Sequence, residues 1–574
     1  MRESAPAVIV NGVPVPLEGE KNLLEVVRKA GIDLPTLCYH EDLSVYGGCR
    51  QCVVETERGQ IVAACSTPPQ DGLRIRTHSP RLRKIRRMAL ELTLANHDRS
   101  CTTCGKSGNC ALQDLARSYG LDNVRFPQRS ADRQRDLSAL GLTYDPGKCI
   151  LCGACVRVCQ EVQGVGAIDL AHRGAQMSVS TAFEQDLGLT ECVQCGQCAA
   201  ICPTGALLVK SDVDKAWTAL HDPGKYVVVQ IAPAVRVAIG EAFGMEPGEL
   251  SMGRLVRALR LLGADRVFDT VFAADLTVME ETAEFLSRLE AGENLPLFTS
   301  CCPGWVKFVE HNYPELLPHL SSCKSPQQMF GAVIKGFEAS RLGMGRDEIC
   351  VISIMPCTAK KFEAARPEFA TEGVPDVDIV LTTQEIAEMI RESGIRFQDL
   401  DEDDTDTPYG VATGAGTVFG ATGGVAEAVL RAAHWVATGE NLDTVDFTAV
   451  RGLEGVRTIT VDVKGREVRV GVTHTLSQAR RLIEAIKAGE AAYDIVEVMA
   501  CPGGCVGGGG QPYAQRAAER YSRARGLYLS DRRAPLRRSQ ENPAVAALYR
   551  DWLGEPNSEL AHRYLHTTYT VRTV

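Results

Sequence analysis

The chain has 574 residues, 45% hydrophobic and 23% charged, an ordinary composition for globular protein but too long for one core, so several domains are expected. Its net charge of −10 argues against a nucleic-acid partner, and no apolar run reaches the roughly 18 residues of a membrane span. The 22 cysteines fall largely in C-x-x-C groupings, which read as metal or cluster ligands of a reducing compartment, not as disulfides. No charged stretch followed by an apolar one opens the chain (MRESAPAVIVNGVPVPLEGE), so no signal peptide and a cytoplasmic location are expected.

Residues 7–16 alternate around Asn11-Gly12, a hairpin signal, and 22–32 read as a helix broken near Gly31. Cys38, Cys49, Cys52 and Cys65 follow, spaced C-x10-C-x2-C-x12-C. Gly47 and Gly48 precede the close pair and let backbone amides approach cluster sulfurs. Residues 1–80 therefore resemble a plant-type [2Fe–2S] ferredoxin domain of β-grasp type, with a longer loop before the pair than the usual spacing. Four buried free thiols are the blander alternative.

Residues 81–96 have helical periodicity, and the basic run RLRKIRR (81–87) reads as a solvated helix face. His97, Cys101, Cys104 and Cys110 come next, spaced H-x3-C-x2-C-x5-C. By composition one imidazole and three thiolates suit zinc as well as iron. The adopted reading for 81–125 is a His-ligated [4Fe–4S] cluster, with structural zinc as the alternative.

Between 135 and 210 one motif occurs twice. Cys149, Cys152, Cys155 and Cys159 read C-x2-C-x2-C-x3-C, and Cys192, Cys195, Cys198 and Cys202 repeat it before Pro203. This is the two-cluster bacterial ferredoxin run, in which the fourth cysteine of each copy ligates the other cluster. One cluster is then held by Cys149, Cys152, Cys155 and Cys202, the other by Cys192, Cys195, Cys198 and Cys159.

After residue 210 cysteines vanish for nearly a hundred residues. Residues 225–243 read as a buried strand leading into a helix, 348–355 and 493–499 as strands, and 326–341 and 422–433 as amphipathic helices. Such alternation predicts α/β lobes with parallel sheets, whose sites lie at strand C-termini. The acidic stretch 400–410 reads as a solvated loop, 530–543 as a linker, and the last thirty residues as a tail wrapping the body.

Three strand ends carry the remaining chemistry: FTSCCPGW (298–305), IMPCTAKKFE (354–363) and EVMACPGGCVGGGGQP (497–512). These resemble the three signature motifs of the [FeFe]-hydrogenases, and the upstream order of cluster domains is similar to the larger members. The resemblance spans essentially the whole chain. It implies a two-lobed catalytic domain over 211–530 and a small-subunit-like tail over 531–574. Cys302, Cys357, Cys501 and Cys505 would hold a [4Fe–4S] cluster, with Cys505 bridging to a two-iron subsite that carries CO, cyanide and a dithiolate. Lys360 resembles the family lysine that holds one cyanide, which would be its negative partner; Lys361 reads as a surface residue. Pro233, Ala234, Gln327, Met355, Phe419 and Met499 match cavity-lining positions. Ala234 is a departure, since some members have serine there.

Cys301 is the surplus thiol, and by resemblance it passes protons to and from the two-iron subsite. Glu281, Glu284 and Arg288 stand at i, i+3 and i+7 and so share a helix face. With Ser321 they match the family route Cys301, Glu281, Ser321, Glu284, Arg288; a plain exposed Glu284–Arg288 pair is the alternative. Cys323 and Cys350 are left as buried structural residues.

Reversible formation of H2 from protons and electrons is the expected activity. No GxGxxG follows a strand, so any nicotinamide or flavin would sit on partner subunits. Pro502 and the four-glycine run are similar to NAD(P)-linked multisubunit members. That favours the catalytic subunit of an electron-bifurcating complex, with ferredoxin and maturation proteins as further partners. A stand-alone ferredoxin-dependent enzyme is the second reading. An H2 sensor and a non-catalytic electron-transfer subunit are the readings from other classes.

Overall fold

The computed structural model describes residues 5–128, 134–441, 445–453, 455–463, 465–513 and 516–572. The first four residues of the N-terminal stretch read above lie outside the described residues.

At the N-terminus strands Ala7–Val10 and Val13–Pro16 form the expected hairpin, with Asn11 and Gly12 both at positive φ (52° and 91°). Helix Leu23–Lys29 is capped by Asn22, whose side chain accepts from the Glu25 amide, and Gly31 (φ 77°) ends the segment. A five-stranded sheet packs Val8, Val10 and Ile75 against Leu23, Val26 and Val27. Helix Pro80–Ala95 follows, capped by Ser79. Its basic run is not wholly solvated: Arg86 is buried and donates to the carbonyls of Val53 (2.5 Å) and Thr77 (2.9 Å). This guanidinium ties the helix to the first domain, a pairing that periodicity does not reveal.

The repeated motif folds as a repeat. Leu151 and Gln194, the third residue of each copy, both have φ 54°, and each amide points at the Sγ two residues earlier, at 3.4 Å. Gly153 and Gly196 (φ 66° and 74°) then start the short helices Ala154–Arg157 and Gln197–Ile201. Strands Leu142–Tyr144 and Leu207–Val209 pair antiparallel and close the module.

Two four-stranded sheets organise the remainder. In the first, Arg266–Asp269, Tyr226–Ile231, Ile349–Met355 and Ile379–Thr382 run parallel in that order, buried almost throughout. Ile231 pairs with both Asp269 and Ile354, so the strands end level. In the second, Leu297–Phe298, Ile495–Met499 and Arg466–His474 are parallel, and Arg457–Val463 closes the edge antiparallel. All three cysteine loops leave strand C-termini, two from the second sheet and one from the first, so they meet between the lobes.

Several local readings are corrected. Strand Tyr226–Ile231 is followed not by one α-helix but by two 3₁₀ turns, Pro233–Val237 and Ile239–Phe243, broken at Ala238 (φ −130°). Arg236 accompanies the detour: it turns inward, its Nη2 donating to both oxygens of buried Asp269 (2.7 and 2.9 Å). The acidic stretch is, as expected, a largely exposed loop, held at one point where Asp406 pairs with Arg260 and Arg266 and accepts from the Val267 amide (2.7 Å). The linker reading of 530–543 fails: helix Ala517–Arg533 runs into it, and Asp531, Ser539 and Asn542 are buried. Asp531 meets Arg431 and Arg537, while Ser539 and Asn542 donate to Asp275 (2.7 and 2.8 Å). Beyond it, the tail packs back on the body: the Lys324 amide donates to Leu565 O (2.8 Å) and the Thr567 amide to Ser322 O (2.7 Å). Among the described residues no helix is long and apolar enough to cross a membrane.

Candidate active site and its cluster line

Cys302, Cys357, Cys501 and Cys505 converge on one cavity of about 80 Å³. Cys301, Pro233, Ala234, Gln327, Met355, Lys360, Phe419 and Met499 line the same cavity. Burial pushes all four converging thiols up, Cys357 to about 12. Four such sulfurs cannot ionise together in a dry pocket without a bound cation, and cluster iron supplies that charge. The donor set and the apolar walls therefore fit an iron–sulfur group. Gln327 adds an orphaned buried Oε1 beside it.

The structure adds a partner to Lys360 and corrects the reading of Lys361. The Lys360 ammonium already has an anionic partner in this chain, Glu363, at 2.9 and 3.0 Å, and also donates to Cys301 O (3.1 Å). Burial lowers its pKa, but the Glu363 charge and hydrogen bonds outweigh this and raise it. Ser325 and Gln327 donate to Glu363 in turn (2.8 and 3.1 Å). Sequence reasoning missed Glu363, although its place one helical turn after Lys360 was a usable signal. Lys361 is not on the surface: it is buried between Asp212 (2.6 Å), just past strand Leu207–Val209, and Glu385 (2.8 Å) on helix Thr383–Glu392.

Behind Cys301 lies a buried carboxylate pair on helix Val271–Ala291. Burial, then the charge on Glu284, lifts Glu281 to about 8, and one of its oxygens has no partner. Cys301 is likewise raised, by burial and then by Glu281. Burial acts against ionised Glu284 too, but Arg288 (2.6 Å) and the Ser322 amide overcome it and lower its pKa. Ser321 donates to Glu284 (2.8 Å). Arg288 continues outward to the carbonyls of Pro318 and Leu320, both at 3.0 Å. The Glu284–Arg288 pair is thus largely buried, not the exposed alternative.

Toward the N-terminus the cysteines form a forked line. Cys152 sits near Cys202 and Cys149, and also near Cys38 of the first domain. Cys38 and Cys49 lie close enough to share a proton, as do Cys52 and Cys65. Arg157 donates to the carbonyls of Cys38 (2.7 Å) and Ser44 and so docks this domain on the repeat. The second arm meets the same place: a Cβ on Gly205 would stand 2.6 Å from the Cys104 sulfur, and the Ala111 amide donates to Pro203 O (3.2 Å). Cys101, Cys104 and Cys110 are mutual neighbours. His97 is buried with an orphaned Nδ1, and burial, then Lys148, holds its pKa down, leaving the neutral imidazole that ligates metals. On the far side Cys195 neighbours Cys192, Cys159 and Cys357, and Cys501 neighbours Cys195.

The four-glycine run explains how close that last step is. A Cβ on Gly509 would meet Cys195 O at 2.5 Å and Gly196 at 2.6 Å, and one on Gly508 would meet Pro356 O at 2.1 Å. Thr358 completes the contact by donating to Gln194 O (2.7 Å). Two cysteine arms, one shared module and a dry thiol-lined cavity define an iron–sulfur oxidoreductase with a buried redox site.

Comparison with known proteins narrows that class. The family model for the C-terminal domain of the iron only hydrogenase large subunit matches 225–509, and that for the iron hydrogenase small subunit matches 517–572. A 2Fe-2S iron-sulfur cluster binding domain matches 7–80, the NADH-ubiquinone oxidoreductase-G iron-sulfur binding region 86–125, and a 4Fe-4S dicluster domain 148–206. The chain is 46% identical to the NADP-reducing hydrogenase subunit HndD of Solidesulfovibrio fructosivorans, over 98% of this chain and 99% of that protein. It is 37% identical to iron hydrogenase 1 of Clostridium pasteurianum, over the same shares. The solved apo [FeFe]-hydrogenase HydA1 from Chlamydomonas reinhardtii superposes with a TM-score of 0.58 at 43% identity, over 64% of this chain and 100% of that one. The chain belongs to the iron-only, or [FeFe], hydrogenases and is an oxidoreductase of that type.

Proposed function

We propose that this hydrogenase is the catalytic subunit of an NAD(P)-linked, ferredoxin-dependent complex that exchanges electrons with both carriers. The fork supports this reading: the Cys38 arm and the Cys104 arm both join the Cys149–Cys202 site, and one route leaves it for the cavity. Two inlets and one outlet suit an enzyme that draws on two donors. The similarity to an NADP-reducing hydrogenase subunit points the same way. Units 1–80, 81–125, 135–210, 211–530 and 531–574 would act as [2Fe–2S] arm, His97-ligated arm, two-cluster conduit, catalytic body and tail.

Cys302, Cys357, Cys501 and Cys505 would hold the six-iron group, which when bound supplies the redox centre for exchanging two electrons and two protons with H2. The remaining work belongs to side chains. Lys360, fixed by Glu363, presents a positive charge to an anionic ligand of that group. Pro233, Ala234, Met355, Phe419 and Met499 keep the cavity dry. Cys301 moves a proton at its Sγ to Glu281, and Ser321, Glu284 and Arg288 carry it outward.

The test is purification from the native host with whatever subunits accompany the chain, followed by H2 evolution assays. Turnover is expected only with NAD(P)H and reduced ferredoxin together. Full turnover with reduced ferredoxin alone would refute the complex in favour of a stand-alone enzyme.

A further inference from the structure

Besides Arg288 and Ser321, Glu284 has a hydrogen-bonded neighbour that leads to the C-terminal tail. Ser322 Oγ lies 3.0 Å from Glu284 Oε1 and 2.8 Å from His566 Nδ1. The other imidazole nitrogen, Nε2, lies 3.0 Å from Glu280 Oε2. Glu280 is fully buried and also accepts from Tyr549 OH (2.5 Å) and the Asn557 amide (2.8 Å). His566 itself is buried, but His562, one turn earlier on the tail, is exposed, and the two rings lie 4.2 Å apart.

A hydroxyl has one proton to donate. If Ser322 donates to ionised Glu284, it accepts from Nδ1–H, and with Glu280 as the carboxylate Nε2 also carries a proton: His566 is then an imidazolium. If Glu284 is protonated, it donates to Ser322, Ser322 donates to Nδ1, and only Nε2–H remains: His566 is then neutral. The two arrangements differ by one proton moved between Glu284 and His566, with total charge unchanged. Both keep the contacts from Glu284 through Ser322 and His566 to Glu280 hydrogen-bonded. The groups facing His566 are Glu280, Glu284, Ser322, Cys323 and His562, with Arg288 and Tyr549 one contact further out.

We propose that Ser322 and His566 form a second proton port, by which protons reach or leave Glu284 through the C-terminal tail and His562 as well as through Arg288. The proposal rests on the reading of Cys301, Glu281, Ser321 and Glu284 as the inner relay. The backbone contacts of the tail, Lys324 N to Leu565 O and Thr567 N to Ser322 O, do not need the imidazole, so its removal leaves the tail attached.

The test uses the cluster-loaded enzyme with His566→Gln, His566→Ala, Arg288→Leu and the His566→Gln/Arg288→Leu pair, and measures H2 evolution over roughly pH 5 to 8, where imidazole titrates. Cluster spectra accompany each variant. The port predicts that His566→Gln slows turnover and flattens the pH profile with unchanged cluster spectra. It also predicts that the double variant loses roughly tenfold more than either single one, and that added imidazole restores His566→Ala. Wild-type rates and pH profile in His566→Gln, alone and on the Arg288→Leu background, would overturn it. So would a loss in His566→Ala that imidazole does not restore, which marks a structural role. Cys301→Ser separates the two layers: if it keeps turnover the inner relay fails, whereas if it loses turnover while the His566 variants keep theirs, only this port fails.

Discussion

Glu281 shows how far burial alone sets the chemistry of a side chain. Its folded pKa of about 8 stands above its ordinary 4.5, so the fold disfavours the carboxylate. The sign follows: its destabilising contribution is absent below pH 4.5, grows as pH rises, and is complete above about 8. Glu281→Gln has no such group. The stability of the variant should therefore gain on the native protein between those limits, by up to about 1.4 kcal/mol per pH unit, read from melting temperatures across the range. A constant difference across that range would contradict the burial reading. At neutral pH the native residue is the acid, able to donate as well as accept, which a relay next to Cys301 requires. The ligand thiols were legible in the sequence because their spacing is local. Glu363, one turn after Lys360, was legible but missed, whereas the buried partners of Lys361 were not legible, because ion pairs such as Lys361–Asp212 join residues far apart in the chain.

At the scale of elements, strands and cysteine loops read well, because buried parallel strands are continuous apolar runs and the motifs start where they end. Helix-versus-turn detail read less well. Arg236 sits in 3₁₀ turns and pairs inward with Asp269, a contact periodicity does not reveal, and Asp531 buries what composition alone presents as a linker. The glycine run is the most specific case: its spelling suggested a subfamily, and its geometry gives a packing reason. Gly509→Ala would drive a Cβ into Cys195 O at 2.5 Å, backbone against backbone, so the neighbours must move. Overpacking of this kind costs about 1–3 kcal/mol. Turnover should fall while the cluster spectra of the N-terminal arms stay unchanged. Gly489→Ala, at positive φ but with nothing within 4 Å of its Cβ, is the control, and its turnover should match the native enzyme. Equal turnover in the Gly509 variant would rule out a functional role for the loop contact.

Over the whole molecule, the cysteine line and the buried carboxylates reach the cavity from different sides, so on the proposed reading electrons and protons would approach it separately. The cysteine line reaches it through Cys195 and the glycine loop, while the carboxylate line leaves it through Glu281 on helix Val271–Ala291. The tail closes the second route, since its His566 lies against Ser322 and Glu280. Separation of this kind makes the two supplies independently breakable, and Cys301 is the point where that can be tested. It lines the cavity with the four proposed ligand thiols, so on the proposed reading Cys301→Ser would remove the proton carrier without removing a cluster ligand. The decisive measurement is H2 evolution by cluster-loaded Cys301→Ser with a chemical reductant, alongside iron content and cluster spectra. A proton carrier at Cys301 predicts native iron content and spectra with turnover lower by roughly 10² or more. Turnover within a few-fold of the native enzyme, with the same spectra, would contradict it.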